Sequence, residues 1–493
     1  MKLSGHLIAL LAALLYGAAA FASDKVPTIK LENHLIASTC DSAAFWTYSN
    51  TGGLIPKSGN SYLGLLSIAP PQPLSLGGAF TMDYGASLAV PYTGGHEKAF
   101  AGANAERPVP GELFVGLRWN KVSADFGIRK RQLEHEEISV SGGDISWSGN
   151  ARNLPGVAFT LNEYTLPFAR KLSIRGQWGD YVMPGPRYIT NPLLHHEEGY
   201  LTWSITPRLS FTAGLEDWGI WAGTTEDGTR LPVTFGRYLS VVTGGAGSAG
   251  DSEMDKENAL GNHLGRTLMR LNWRGDGYSL SLSKDSPFED RSGMVQKNFP
   301  DGIWTLAYST EKDSWISDAV LELIYTKNQS GEVHAREATE EEKALQDPES
   351  INYGWVVTGG CDAYFNHMEY RSGWTHYGRT VGIPLFIPQG LDANGICPGV
   401  ACNSLSGLNI GLRGKLFHTL PYSFRTTAVR HYGCKFQRDP VFQIPMTQYS
   451  SSLVVTIPKT LFADSIRFGL YTDFGSLYPA RLSASLTLTY RLL

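Results

Sequence analysis

The last thirteen residues, Arg481 to Leu493, read RLSASLTLTYRLL, and they constrain the fold more than any other segment of the chain. Leu482, Ala484, Leu486, Leu488, Tyr490 and Leu492 fall on one face of an extended segment, and Arg481, Ser483, Ser485, Thr487, Thr489 and Arg491 on the other. Strict period-2 alternation is a β-strand with one apolar and one wet face. A tilted strand of about 9 to 11 residues crosses a membrane, and a chain closing on such a strand is built like an outer-membrane barrel. The implied location is a bacterial cell surface.

The opposite end agrees with that compartment. Met1 and Lys2 open an apolar run, Leu7 to Ala20, followed by Ala20-Phe21-Ala22, a small-x-small pattern for a signal peptidase. Residues 1–22 are therefore expected to be a signal peptide. No later run of 18 apolar residues exists, so further membrane crossing must use strands. Mean hydropathy is only −0.16. Barrels have this property because alternate strand residues face a polar lumen. A formal charge of −4 excludes the basic footprint of a general nucleic-acid binder.

The alternation recurs along the chain. Leu74 to Val90 carries Leu74, Leu76, Phe80, Met82, Tyr84, Leu88 and Val90 on one face, and Val122 to Arg129 sets Val122, Ala124, Phe126 and Ile128 against Ser123, Asp125 and Arg129. Further runs lie near 113–119, 156–163, 171–178, 200–205, 208–216, 233–242, 267–274, 278–283, 303–309, 319–326, 353–359, 408–414, 422–430, 451–457 and 465–473. With the C-terminal run this predicts an all-β fold, a transmembrane antiparallel β-barrel of about 18 strands (16–18). A propeller would show a blade-length repeat, and none is visible.

Three segments break the pattern. Gly244 to Asn258 is Gly-rich and then acidic, and Glu337 to Gln346 has the composition of a short exposed helix. Residues 24–73 do not read as clean strands, and a barrel this wide needs its lumen filled. The expected organisation is therefore a signal peptide (1–22), a small N-terminal plug or periplasmic segment (23–73), and the barrel (74–493).

Catalytic motifs are missing: there is no G-x-S-x-G elbow, no H-E-x-x-H helix and no phosphate loop. His195-His196-Glu197-Glu198 has metal-ligand chemistry, but neighbours on a strand point to opposite faces and cannot converge on one ion. The same argument removes adjacent Glu216 and Asp217 as a glycosidase pair and leaves them as barrel acids. Cys40, Cys361, Cys397, Cys402 and Cys434 are odd in number, and Cys397 and Cys402 are spaced either to close a small disulfide loop or to remain free. No enzyme, cofactor or metal site is expected.

The densest polar-aromatic stretch runs from Asp362 to Arg379. Tyr364, Asn366, Tyr370, Arg371, Trp374 and Arg379 supply ring faces for the apolar side of a sugar, amide and hydroxyl heads for its hydroxyls, and guanidiniums for acidic groups. They are the candidate ligand-binding residues. The alternative is a barrel-wall role in an interfacial aromatic girdle.

In order along the chain, Ser148-Gly-Asn-Ala-Arg152-Asn153-Leu-Pro155-Gly156, Gly176-Gln-Trp178-Gly179-Asp180-Tyr181, Leu193-Leu194-His195-His196, Gly214-Leu-Glu216-Asp-Trp218 with Trp221-Ala-Gly223, and Tyr364-Phe365-Asn366-His367 running on to Tyr370-Arg371-Ser-Gly373-Trp374 and Gly378-Arg379 resemble the capsule assembly Wzi family in its Bacteroides-type form. The resemblance implies an outer-membrane barrel of about eighteen strands with an N-terminal helical plug. It further implies a lectin that helps attach capsular polysaccharide to the surface, with that glycan and outer-membrane lipid as partners. The N-terminus shows no helical bundle. The competing expectation is a porin or uptake channel for oligosaccharides or small solutes, which requires an open lumen.

Overall fold

A computed structural model describes residues 26–93, 108–247, 259–346, 348, 353–357, 360–435 and 445–492. Eighteen antiparallel strands form one closed ring. The first six are β1 (Thr28–Ser38), β2 (Ser61–Ala69), β3 (Phe80–Thr93), β4 (Val109–Trp119), β5 (Val122–Ile128) and β6 (Pro155–Leu166). There follow β7 (Ala169–Val182), β8 (Leu193–Ser204), β9 (Leu209–Trp221), β10 (Asn262–Arg274), β11 (Tyr278–Phe288) and β12 (Gly302–Thr310). The ring is completed by β13 (Asp318–Tyr325), β14 (Ser404–Leu416), β15 (Leu420–Gly433), β16 (Met446–Pro458), β17 (Ser465–Gly475) and β18 (Arg481–Arg491). Each pairs with its neighbour in sequence, and β18 closes on β1 with Leu35 opposite Leu486 and Ser38 opposite Ser483. Closure removes every free sheet edge, as a bilayer demands.

The alternation of β18 is realised in space. Leu482 is 45% exposed on the outer face, and Ser483 and Thr487 are buried towards the lumen. Leu486 sits mid-strand on the outer face between Leu35 and Phe468, both exposed apolar neighbours. Leu486→Arg is expected to cost about 2–4 kcal/mol and to reduce heat-resistant folded barrel, because the charge enters hydrocarbon near the midplane. Thr489→Arg points the same side chain into the lumen beside Glu32 and should leave assembly near parental level. Equal loss in the two variants would reject this register.

The two ends of the barrel differ. Short connections such as 120–121, 167–168, 275–277 and 417–419 mark one end, where the N-terminal strand also begins; the other end carries 39–60, 129–154, 222–261 and 326–403. Short periplasmic turns and long external loops orient the barrel. Outward aromatics form a girdle at each level, Phe80 stacked on Trp119 near the turns and Tyr449 stacked on Phe474 near the loops.

The core lies inside the ring. Described parts of three external loops (39–60, 129–154 and 326–403) fold into the lumen, where Phe45, Trp46, Val140, Ile145, Phe365, Trp374 and Phe386 pack into one apolar cluster. That cluster reaches Ile36 of β1, Leu194 of β8, Leu264 of β10, Ile324 of β13 and Val429 of β15, which lie around the wall. The lumen is thus filled by loops descending from outside.

This corrects the expected boundary at residue 74. β1 and β2 lie within 23–73 and belong to the wall, which begins at Thr28; only 39–60 enters the lumen. The inward positions Ile36 and Leu63 are apolar because the loops they face are apolar. Alternation, the strand signal used elsewhere, fails in β2, where Leu63 and Leu65 face inwards, but holds in β1, where Ile29, Leu31 and Leu35 oppose Lys30, Glu32 and His34. Two expected strands are also corrected. Residues 233–242 contain the helix α1 (Phe235–Thr243), capped by the Thr234 side chain and ended by Gly244 in the left-handed region. Among the described residues of 353–359, Trp355–Val357 form a strand paired with Ala335–Glu337 in a loop hairpin that is not part of the wall. Glu340–Lys343 is the short exposed helix expected there, with a Thr339–Glu342 capping box. The signal-peptide segment and 248–258 of the acidic loop lie outside the described residues.

Candidate functional site

Glu216 on β9 points into the lumen and is fully buried. A buried carboxylate must be matched. Arg131 from the loop after β5 approaches it at 2.6 Å, and Arg266 Nε from β10 at 2.7 Å. His196 Nε2 lies 3.0 Å away, and the Trp218 indole N–H donates at 3.0 Å. Arg131 also meets Asp144 at 2.8 Å, and Arg266 meets Asp285 at 3.2 Å. Burial opposes the charge on Arg131, but the carboxylates of Glu216, Asp144 and Glu198 hold its pKa above the ordinary guanidinium value. His196, Trp218 and Trp147 stack in sequence, with ring centroids 3.7 and 4.2 Å apart.

The network ties the lumenal loops to the wall. Asp285 accepts the Ile145 N–H at 2.8 Å, Glu322 accepts the Val140 N–H at 2.8 Å, and Asn409 donates to the Ile138 carbonyl at 3.0 Å. These inward polar residues satisfy loop peptide groups that burial would otherwise orphan.

His196, Glu198 and Glu216 bring metal-type donor atoms within 4.8 Å of one another. His195 and Glu197 take the opposite face, as neighbours on a strand must. Sequence reasoning did not join alternate residues His196 and Glu198 to Glu216, although their period-2 spacing carried that signal. The guanidiniums of Arg131 and Arg266 sit where a cation would, so this donor set is an ion-pair network.

The 362–379 segment divides between interior and surface. Tyr364 is fully buried and donates to Asp301 at 2.9 Å. Asn366 holds Val400 through both its amide atoms, at 2.7 and 3.1 Å. Tyr370 is 4% exposed and donates towards the Ala222 carbonyl. Trp374 is 0% exposed, with its indole N–H on Asn262 Oδ1 at 3.0 Å. Arg379 donates to the carbonyls of Tyr48 and Ile55 at 2.8 and 2.6 Å. The Trp374 ring lies inside the lumenal cluster, and Arg379 donates to two loop carbonyls.

Arg371 is the exception. Its guanidinium is half exposed, lies 4.0 Å over the Tyr188 ring, and pairs with Glu226. Tyr188 in turn donates to Asp392 at 3.1 Å. The Ile396 backbone N–H holds the Asp392 carboxyl below the ordinary aspartate range. Arg371, Tyr188, Glu226 and Asp392 come from three external loops and converge on one polar, aromatic surface. Tyr188, Glu226 and Asp392 lie far from Arg371 in sequence, and no local motif announced them.

Cys397 and Cys402 are free thiols. Cys397 Sγ faces the carbonyls of Gln389 and Gly399, whereas Cys402 Sγ takes the Gly433 N–H and lies beside His431.

No protein-family model matches the chain, and no curated protein matches it. Among solved structures it is similar to Wzi, an outer-membrane protein involved in group 1 capsule assembly in Escherichia coli and described as a carbohydrate-binding β-barrel. The TM-score is 0.53 at 13% identity, covering 97% of this chain and 87% of that one. Pseudomonas aeruginosa OprD gives a TM-score of 0.45 at 12% identity, covering 95% of each chain. At such identities the likeness is one of fold. A closed ring of eighteen antiparallel strands, apolar outside and girdled by aromatics, is a barrel of the bacterial outer membrane.

Proposed function

We propose that the chain is a non-conducting outer-membrane barrel that binds an acidic surface polysaccharide with its external loops and so supports capsule assembly or attachment. The observation that carries this reading is the filled lumen: three external loops occupy it and are bonded to strands around the wall. A solute-uptake role needs a path through the space these loops take. The work of the protein therefore falls to the external surface. Arg371 presents charge-assisted donors to carboxylate or sulfate groups, Asp392 and Glu226 accept from sugar hydroxyls, and Tyr188 adds an aromatic edge. The fold it shares with the carbohydrate-binding Wzi of E. coli is consistent with this use.

Arg371→Ala is expected to weaken retention of an acidic polysaccharide about tenfold, since a hydrogen bond to a charged group contributes about 1.5–3 kcal/mol. Because Arg371 is exposed, the variant should assemble like the parent. The measurement is binding of purified acidic capsule polysaccharide to the folded barrel, with capsule retention on cells beside it. Parental binding by both Arg371→Ala and Tyr188→Ala would place the glycan elsewhere or remove it.

A further inference from the structure

Two cations on the outer face of the wall are used neither by the lumenal network nor by the Arg371 surface. Val429 and His431 of β15 are buried towards the lumen, so Arg430 and Tyr432 face outwards. By the same alternation Ile324 and Thr326 turn inwards, and Tyr325 and Lys327 turn outwards. Strand register joins these positions into one patch, because Tyr325 lies opposite Ser406 of β14 and Ser406 lies opposite Arg430. The Lys327 ammonium stands 3.8 Å from the centroid of the Tyr432 ring, and the Arg430 guanidinium 5.6 Å from the same centroid. Both basic side chains are exposed. Among the described residues no carboxylate forms an ion pair with either, whereas Arg371 on the loops has Glu226. Two like charges gathered at one ring repel each other, and the negative face of the ring offsets this only in part. The patch is complementary to an anion.

Its height on the wall selects which anion. Tyr449, whose ring stacks on Phe474 in the girdle near the loops, lies opposite Ala428. Arg430 is two residues and Tyr432 four residues further along β15 towards the external end. At about 3.3 Å per residue and a strand tilt of about 40°, Arg430 sits roughly 5 Å and Tyr432 roughly 10 Å beyond the girdle. Girdle aromatics mark the boundary between hydrocarbon and headgroups, so the patch stands at headgroup height. It also faces sideways from the wall, into the ring of lipid around the barrel, whereas a polysaccharide held by the loops approaches from above.

We propose that Lys327, Arg430 and Tyr432 form a docking site for the phosphate group of an outer-leaflet lipid. The Arg430 fork and the Lys327 point charge pair with phosphate oxygens, and the Ser406 hydroxyl beside them adds a neutral donor. Occupation of the site anchors the β13 to β15 face to the surrounding leaflet.

The test uses the full folded barrel in detergent micelles, titrated with a phosphorylated lipid A and, in parallel, with the same lipid after enzymatic removal of its phosphates. Bound lipid is counted by native mass spectrometry. The parent is expected to hold the phosphorylated form about thirtyfold more tightly, the factor that two basic residues near an anionic surface supply. Lys327→Gln combined with Arg430→Gln keeps most of each stem and should erase that preference, leaving the dephosphorylated lipid unaffected. Lys312→Gln combined with Arg274→Gln removes the same charge from exposed positions at the opposite end of the barrel and should bind like the parent. If the strand variant assembles poorly, Lys327→Gln alone, beyond the end of β13, should weaken the phosphorylated lipid about fivefold. Acidic polysaccharide should bind the double variant as it binds the parent, which keeps this result separate from the glycan reading. Equal affinity of the parent for the two lipids, unchanged affinity in the Lys327 and Arg430 variants, displacement of the lipid by millimolar inorganic phosphate, or loss of polysaccharide with lipid binding intact would overturn the assignment.

Discussion

Glu216→Gln will destabilise the folded barrel by about 3–5 kcal/mol, the cost of removing one partner from a buried charge network. The carboxylate is fully buried and receives Arg131, Arg266, His196, Tyr200 and Trp218. An uncharged amide leaves two guanidiniums with reduced compensation, and one of them belongs to the loop that fills the lumen. The variant should lose heat-resistant mobility at a markedly lower temperature than the parent, and its 129–154 loop should become accessible to external protease. Asp276→Asn removes an acid of the same charge from an exposed turn, where Asp276 is 87% exposed and pairs with Arg208. Exposed pairs contribute about 0–1 kcal/mol, so that variant should match the parent. Equal behaviour of the two would mean that the lumenal network does not hold the loops.

Trp374→Ala is the second large effect, at about 3–5 kcal/mol. The side chain is entirely buried in the lumenal cluster and bonds to Asn262 on β10. Truncation opens a cavity and strips a buried acceptor of its donor. Trp374→Phe restores much of the volume and should recover most of the loss. The glycan consequence separates two roles. As a lumenal packing residue, Trp374 predicts that the folded Phe variant holds acidic polysaccharide like the parent. As a sugar-stacking residue it would predict weaker binding from a barrel of parental stability. Thermal stability and glycan binding measured on one preparation decide between them.

The wall was legible wherever a strand divides lipid from a polar lumen. β18 shows this most clearly, since its Ser and Thr face the interior and its Leu face outwards. The signal failed where the lumen is itself a core. Leu63 and Leu65 point inwards, so β2 carries apolar residues on both faces; β1 does alternate, with Ile29, Leu31 and Leu35 outward against Lys30, Glu32 and His34, and only Ile36 at its loop end meets the lumenal cluster. The segment 233–242 is a helix and the strand within 353–359 belongs to a loop hairpin, so neither joins the wall, and these two offset the two omissions, leaving the expected count near eighteen for partly wrong reasons. In the first, Val233, Phe235, Leu239 and Val241 alternate, yet Thr234 and Gly244 at its ends were the cap signals of a helix.

The candidate site was less legible, because composition reports residue types and not the side of a loop they face. Tyr364, Trp374 and Arg379 have the chemistry of sugar recognition and use it on Asp301, Asn262 and two backbone carbonyls. Arg371, in the same stretch, reaches the surface and acquires Tyr188, Glu226 and Asp392 only through folding. Likewise, the rule that strand neighbours diverge separated His195 from His196 correctly. Bringing His196, Glu198 and Glu216 together required the pairing of β8 with β9 in addition.

The central claim is that the external loops close the barrel, and ion conductance across a planar bilayer tests it most directly. The parent protein, inserted and verified as folded, should give no stepwise current above the bare membrane. A variant in which Glu216→Gln is combined with Arg425→Ala, whose guanidinium donates to the Ser139 carbonyl at 3.0 Å, should show intermittent openings as the 129–154 loop leaves the lumen. Steady conductance steps from the parent itself, of the size an open eighteen-stranded pore produces, would contradict the account and restore an uptake channel as the function.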